Sequence, residues 1–138
     1  YALKACDPRL EYQQAWPLSV PSCAAQYPDD FLQASGINER TAIVALTHDP
    51  KIDDLAMIEA LSSPAFYIGA LGSRRTTEKR AQRLQEHFPI TTADLERIHA
   101  PIGIDLNSRR PQDIALAVMA DITAARNGVA ITTHRNVA

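Results

Sequence analysis

A glycine-containing turn followed by a serine and two arginines is the part of the sequence with the clearest chemical meaning. It reads Gly-Ala-Leu-Gly-Ser-Arg-Arg over residues 69–75, and it separates the apolar run 65–68 from a helix-like segment. Glycine lets a backbone approach a ligand closely, helix N-termini favour anions, and guanidinium groups bind phosphate in a planar fork. The turn therefore predicts an anion site at Gly69, Gly72, Ser73, Arg74 and Arg75. Taken alone, a plain strand-to-helix turn with solvated arginines explains the same residues equally well.

Three further polar clusters come directly after apolar runs that are typical of strands. In parallel α/β sheets, ligands bind at the carboxyl ends of the strands. Four polar clusters in this position favour a shared binding site over four unrelated solvated loops. Besides the glycine turn, the residues predicted to line that site are Asp7, Arg9, His48, Asp49, His99, Gly103 and Asp105.

Some of these residues have two interpretations. His48 and Asp49 form either a hydrogen-bonded unit that orients a ligand or moves a proton, or a helix start in which Asp49 is the cap. Arg9 pairs either with Asp7 or with a phosphate. His99 either contacts the ligand or fixes its own loop by a backbone hydrogen bond.

Strand-like and helix-like segments alternate along the chain, which predicts an α/β fold with a parallel sheet and right-handed crossovers. Residues 9–28 are expected to be irregular because prolines 17, 21 and 28 interrupt any periodicity. We predict a Rossmann-like parallel sheet with helices on both faces. The predicted strands are 1–6, 41–47 and 65–68, and the predicted helices begin near residues 29, 52, 76, 91 and 111.

The position of Asp7 suggests that this fold lacks its first strand. Dinucleotide-binding folds place an acidic residue at a strand end, about 20 residues after a glycine-rich phosphate loop. Only six residues precede Asp7. If Asp7 is that acid, the first strand and its glycine loop are absent, and two halves of the sheet have unpaired central edges. We then expect another polypeptide to supply the segment, or two copies to exchange strands in a homodimer. The alternative is that Asp7 merely begins a turn.

The length, net charge and cysteine content of the chain limit the classes of function that it can have. The 138 residues fit one domain, predicted at 1–128 with a tail at 129–138. The net charge of −2 does not favour nucleic-acid binding, and the apolar runs are too short to span a membrane. Two cysteines make neither a disulfide framework nor a zinc site. The expected location is the cytoplasm, and no catalytic residue or metal ligand is predicted.

Four segments together resemble a known family. They are Cys-Asp-Pro-Arg at 6–9, Leu-Thr-His-Asp-Pro-Lys at 46–51 with Asp53-Asp54, Tyr-Ile-Gly-Ala-Leu-Gly-Ser-Arg-Arg at 67–75, and Ile-His-Ala-Pro-Ile-Gly-Ile-Asp at 98–105. In this order they are similar to the C-terminal Rossmann-type domain of the XdhC/CoxI family. The resemblance extends from residue 5 to about residue 128. Two departures are the absence of the N-terminal domain with the Gly-x-Gly strand, and Arg110 where the family tends to have threonine.

The resemblance implies a maturation factor for molybdenum hydroxylases such as xanthine dehydrogenase. Such a factor binds the molybdenum cofactor (molybdopterin, alone or in its dinucleotide form), supports its sulfuration and passes it to the apoenzyme, so it is a chaperone more than a catalyst. The implied partners are the apoenzyme and a cysteine desulfurase. Ser73, Arg74 and Arg75 suit the phosphate, Asp7 suits a ribose or pterin donor, and Asp105 suits an amide of the pterin.

Two other functions remain open from the residues alone. An NAD(P)-dependent oxidoreductase is compatible with the fold class, although the glycine fingerprint and a hydride-handling arrangement are missing. A protein-docking module without a cofactor is the third possibility.

Overall fold

The structure is a computed structural model that describes residues 1–19 and 23–131. Pro21 and most of the predicted tail, from residue 132 onward, lie outside the described residues. The strands are β1 (Ala5–Cys6), β2 (Cys23–Ala24), β3 (Ala42–Ala45), β4 (Tyr67–Ala70) and β5 (Ile98–His99). The helices are α1 (Leu10–Gln14), α2 (Pro28–Ala34), α3 (Pro50–Leu61), α4 (Arg74–His87), α5 (Thr92–Glu96) and α6 (Pro111–Arg126).

The strands form two parallel sheets. β1 pairs with β2, with Ala5 opposite Cys23, and the second sheet has the order β3-β4-β5, with Ile43 opposite Ile68 and Ile68 opposite Ile98. Within residues 1–19 and 23–131, no ladder joins β1 to β3. The predicted parallel α/β fold is confirmed, and its sheet is divided into two parts as the sequence suggests.

Helices cover both faces of the larger sheet. Successive strand residues point to opposite faces, so Tyr67 and Ile68 belong to different layers of the core. On one face, Ile68 packs with Met57 of α3 and Leu84 of α4. On the other face, Tyr67 packs with Ile102 and with Val118 and Ile122 of α6. Burial on both faces explains why β4 is apolar throughout.

Local signals set the helix boundaries. The Asp49 carboxylate accepts a hydrogen bond from the backbone N–H of Lys51 and so begins α3. Thr91 and Asp94 form the predicted capping box at the start of α5. Pro111 occupies the first turn of α6, as predicted.

The prediction that residues 9–28 are irregular is wrong in part, because they contain α1 and β2. α1 has only five residues and buries none of them, so it leaves no apolar periodicity to detect. Its position depends on a hydrogen bond from the Gln13 side-chain amide to the carbonyl of Asp7. β2 is a strand because it pairs with β1, and the backbone N–H of Asp7 bonds to the carbonyl of Ala24 at 3.1 Å.

Gly103 provides a test of how closely the loop after β5 approaches α6. Its φ is +84°, and a Cβ atom added there would lie 2.9 Å from the backbone nitrogen of Val118. Gly36 also has a positive φ, but a Cβ atom there would meet nothing within 4 Å.

We expect Gly36→Ala to lower the free energy of unfolding by about 1–2 kcal/mol, from backbone strain alone. Gly103→Ala should cost about 1–3 kcal/mol more, from overpacking. Urea unfolding measures both variants, and equal losses would contradict the close approach.

Candidate functional site

The predicted site begins where the parallel strands of the larger sheet end. The backbone N–H of Leu71, just after β4, bonds to the carbonyl of Ala45 at the end of β3. The N–H of Ile102, after β5, bonds to the carbonyl of Ala70 at 3.1 Å. The segments that follow the three strands therefore leave the sheet at one edge, which we call the rim. The rim is the place where an α/β sheet binds ligands.

The N-terminus of α4 is the most positive feature of the rim. The Ser73 hydroxyl accepts a hydrogen bond from the backbone N–H of Thr76 at 3.2 Å, which caps the helix. Arg74 and Arg75 occupy the first turn and are exposed. Within the described residues, neither guanidinium has an ion pair or hydrogen-bonding partner. The helix start and the two cations together form a surface that favours an anion.

His48 stands at the end of β3 in a strained backbone conformation. It is exposed, and its φ is +63°, which a residue with a Cβ atom rarely adopts. The adjacent residues hold it there, because the Thr47 hydroxyl accepts a hydrogen bond from the N–H of Asp49. The Asp49 side chain caps α3, which is the second of its two interpretations. His48 is therefore presented at the rim by a rigid turn.

A buried carboxylate that was not among the predicted site residues fixes this turn. Asp53 is 1% exposed, and its Oδ1 accepts hydrogen bonds from the backbone N–H and the hydroxyl of Thr47, at 3.2 and 2.7 Å. Its Oδ2 lies 3.3 Å from Nη2 of Arg80 on α4. Arg80 also contacts Asp54, and Asp54 is bound by Arg83 at 2.9 Å. The end of β3 is thus tied to the helix that carries Arg74.

Asp7 and Arg9 form a closed pair. Oδ1 of Asp7 accepts hydrogen bonds from the backbone N–H and Nε of Arg9, and Oδ2 accepts one from Nη2 at 2.7 Å. These bonds to the guanidinium hold the pKa of the Asp7 carboxyl below its usual range. The Arg9 guanidinium also lies over the Tyr12 ring, 3.9 Å from its centre. Of the two partners considered for Arg9, Asp7 is the one that Arg9 contacts in this structure.

His99 lies on the face of the sheet covered by α6. Its Nδ1 is 3.0 Å from Oδ2 of Asp121, which also accepts a 2.7 Å hydrogen bond from the Tyr67 hydroxyl. The His99 and Tyr67 rings are 4.3 Å apart. Burial, followed by the bond to Asp121 and its negative charge, raises the pKa of Tyr67. His99 thus joins β5 to α6 through a side chain, whereas its expected structural partner was a backbone group. In the sequence, Asp121 directly precedes the core residue Ile122, and this position is the sequence signal that its carboxylate lies close to the core.

Among the remaining predicted site residues, some make room for core packing and the others lie at the rim. A Cβ atom on Gly69 would lie 2.5 Å from Ile102, so this glycine makes room for the core. Gly103 makes room for α6 in the same way. Gly72, with φ +151°, shapes the turn before Ser73. Asp105 is exposed, and its Oδ1 accepts a hydrogen bond from the N–H of Asn107.

The two cysteines are poor nucleophiles. Burial, with the neighbouring Cys23 and Asp7, raises the pKa of Cys6 to about 11. Burial also raises the pKa of Cys23. Both thiols are therefore protonated near pH 7, whereas the thiolate is the reactive form.

Residues 1–19 and 23–131 hold neither a metal-binding cluster nor a membrane span. No three His, Cys, Asp or Glu side chains in these ranges are arranged to hold a metal ion. None of the helices there has both the length and the apolar composition needed to cross a bilayer.

A comparison with known protein families identifies the family of this chain. The family described as the XdhC Rossmann domain matches residues 1–122, which includes β1 to β5 and most of α6. This chain belongs to the XdhC family. The resemblance predicted from the four sequence segments is thereby confirmed.

Curated relatives place the XdhC domain in longer proteins. The chain is 34% identical over 120 residues to the molybdenum cofactor insertion chaperone PaoD of Escherichia coli K12, covering 85% of this chain and 37% of that protein. It is 27% identical over 105 residues to a protein of Bacillus subtilis 168 described as a probable subunit of xanthine dehydrogenase, covering 76% of this chain and 29% of that protein. The chain therefore spans about a third of the length of these relatives.

A solved structure agrees with the fold. A xanthine dehydrogenase of Bacillus halodurans superposes with a TM-score of 0.72 at 21% identity, over 98% of this chain and 38% of that one. At this identity the match establishes the Rossmann-like fold of the XdhC domain.

Removing the Arg80 guanidinium tests the ionic network beneath the rim. Arg80→Met leaves the Asp53 carboxylate buried without its partner, and we expect the free energy of unfolding to fall by about 3–5 kcal/mol. Arg75→Met on the same helix removes an exposed, unpaired cation and should change it by about 0.5 kcal/mol or less. Urea unfolding followed by circular dichroism measures both. Similar values for the two variants would show that the network does not support the fold.

The Asp7–Arg9 pair makes a pH-dependent contribution to the stability of the fold. Because the pKa of Asp7 is lowered on folding, its contribution to stability is present above the unfolded value of about 3.9 and is lost as pH falls through the folded pKa. In Arg9→Met, the carboxyl stays buried without its guanidinium, so we expect it to titrate at a higher pH. NMR titration of the Asp7 carboxyl carbon measures this shift. Arg40→Met, at an exposed arginine, is the control and should leave the titration unchanged.

Proposed function

We propose that this XdhC domain belongs to a maturation factor that retains the molybdenum cofactor through its phosphate and passes it to a molybdenum hydroxylase. The observation that supports this most directly is the exposed Arg74 and Arg75 at the capped N-terminus of α4, whose guanidiniums have no partner in the part of the chain that the structure describes. The name of the relative PaoD, a molybdenum cofactor insertion chaperone, supports the choice of ligand.

The donor set of the rim fits a phosphate group. The first-turn amides of α4 lack intrahelical acceptors, so they are available as hydrogen-bond donors. Arginine adds paired donors in a planar arrangement that matches phosphate oxygens. Ser73 already satisfies the N–H of Thr76, which leaves the amides of Arg74 and Arg75 for the ligand. The cofactor supplies the redox chemistry of the enzyme that receives it, whereas this domain supplies charge and position.

The residues of the rim fit retention better than catalysis. Both thiols are protonated near neutral pH, and the Tyr67 hydroxyl donates a hydrogen bond to Asp121 inside the fold. His48 is exposed on a rigid turn, where its ring can donate or accept one hydrogen bond to the polar part of a ligand. The rim therefore supplies charge and hydrogen-bonding groups that bind and orient a ligand.

The partners belong to the same proposal. The Bacillus subtilis relative, whose description names xanthine dehydrogenase, supports a molybdenum hydroxylase as the recipient. Sulfuration with a cysteine desulfurase, the dinucleotide form of the cofactor, and a homodimer stay predictions from the sequence.

The arginine pair provides the test. We expect Arg74→Ala with Arg75→Ala to reduce the molybdopterin that co-purifies with the protein by about 100-fold, because two charge-assisted contacts are lost. The control is Lys79→Ala with Arg40→Ala, which removes the same charge from exposed positions on α4 and before β3. Molybdopterin is quantified by the fluorescence of its oxidised pterin. Equal retention by the two double variants would refute the phosphate site.

A further inference from the structure

A small, partly open cavity lies beside the middle of α4. Its volume is about 40 Å³, and most of its wall is apolar. It lies where α4 packs against α5 and β5. The lining residues are Thr77, Arg80, Ala81, Leu84, Leu95, Ile98 and Ala100.

Two of the residues that line this cavity each carry a buried polar atom that has no hydrogen-bonding partner among the described residues. These atoms are the hydroxyl oxygen of Thr77 and Nη1 of Arg80. The Arg80 side chain is only 4% exposed, and its other nitrogens contact Asp53 and Asp54. An unpaired buried donor costs about 1–3 kcal/mol, so native proteins nearly always give such an atom a partner.

The charge around the cavity favours a neutral guest. Two guanidiniums, Arg80 and Arg83, face two carboxylates, Asp53 and Asp54, so the network carries no net charge. An added anion would leave one uncompensated charge beside an apolar wall, which is costly. The guest must also accept a hydrogen bond from Nη1 and exchange one with a hydroxyl. Water meets both conditions.

The volume agrees with this choice. A buried water needs roughly 10–15 Å³ of such space and two to four polar partners. The cavity has room for about two waters, which can bond to each other as well as to Thr77 and Arg80. An apolar guest would fill the space but leave both polar atoms unpaired.

We propose that this cavity is a hydration site, in which ordered water bonds to the Thr77 hydroxyl and to Nη1 of Arg80. The water completes the hydrogen bonding of the guanidinium that connects α4 to the end of β3. Arg80 is thereby held by carboxylates on one side and by solvent on the other. The site is independent of the ligand proposed for the rim.

The direction in which Thr77→Val changes the stability of the protein tests the proposal. Thr77→Val keeps the shape of the side chain and removes the hydroxyl. If water occupies the cavity, this variant loses a satisfied hydrogen bond, and the folding equilibrium constant should fall about 2–10-fold. If the cavity is dry, the same variant removes an unpaired hydroxyl, and the constant should stay equal or rise, which would overturn the proposal. Urea unfolding measures both cases.

Crystallography of the unaltered protein gives an independent answer. We expect electron density within about 3.2 Å of the Thr77 hydroxyl and of Nη1 of Arg80. The density should persist in Thr77→Ser, which keeps the hydroxyl. An empty cavity would refute the site. An anomalous peak there after a bromide soak would show that the guest is an anion, and would also overturn the assignment to water.

Discussion

The buried carboxylate of Asp53 is the constraint on which the arrangement of the rim depends. It receives two hydrogen bonds from Thr47 and one ionic contact from Arg80, while remaining 1% exposed. A charge removed from water is tolerated only when such partners compensate for lost hydration. Each partner therefore has little freedom to move independently of the others. The end of β3, helix α3 and helix α4 are therefore joined at Asp53.

The arginines of α4 divide into two pairs with different roles. Arg80 and Arg83 are neutralised by Asp53 and Asp54 and contribute to structure. Arg74 and Arg75 have no carboxylate among the described residues, and they lie about two turns nearer the helix start. The same helix is thus anchored at its middle and positively charged at its exposed end. Through Asp53, the middle of α4 is connected to the turn that carries His48.

Features determined by nearby residues could be predicted from the sequence. The helix caps at Asp49 and Thr91 and the apolar strand β4 depend on neighbours within a few positions. The network of Asp53 with Arg80 joins residues 27 positions apart, and the bond of Tyr67 to Asp121 spans 54. Such pairs depend on how α3, α4 and α6 pack, which no local pattern records. For the same reason the contacts of the His99 ring with Tyr67 and Asp121 could not be predicted from the sequence.

The closed pair of Asp7 and Arg9 changes what a molecule meets at this corner of the domain. In a dinucleotide-binding fold, the acid at this position accepts hydrogen bonds from ribose hydroxyls. Here both carboxylate oxygens already receive N–H groups from Arg9, whose side chain is 24% exposed. The Asp7 carboxylate is therefore largely occupied within the domain, and a ribose hydroxyl that approached it would have to compete with the N–H groups of Arg9.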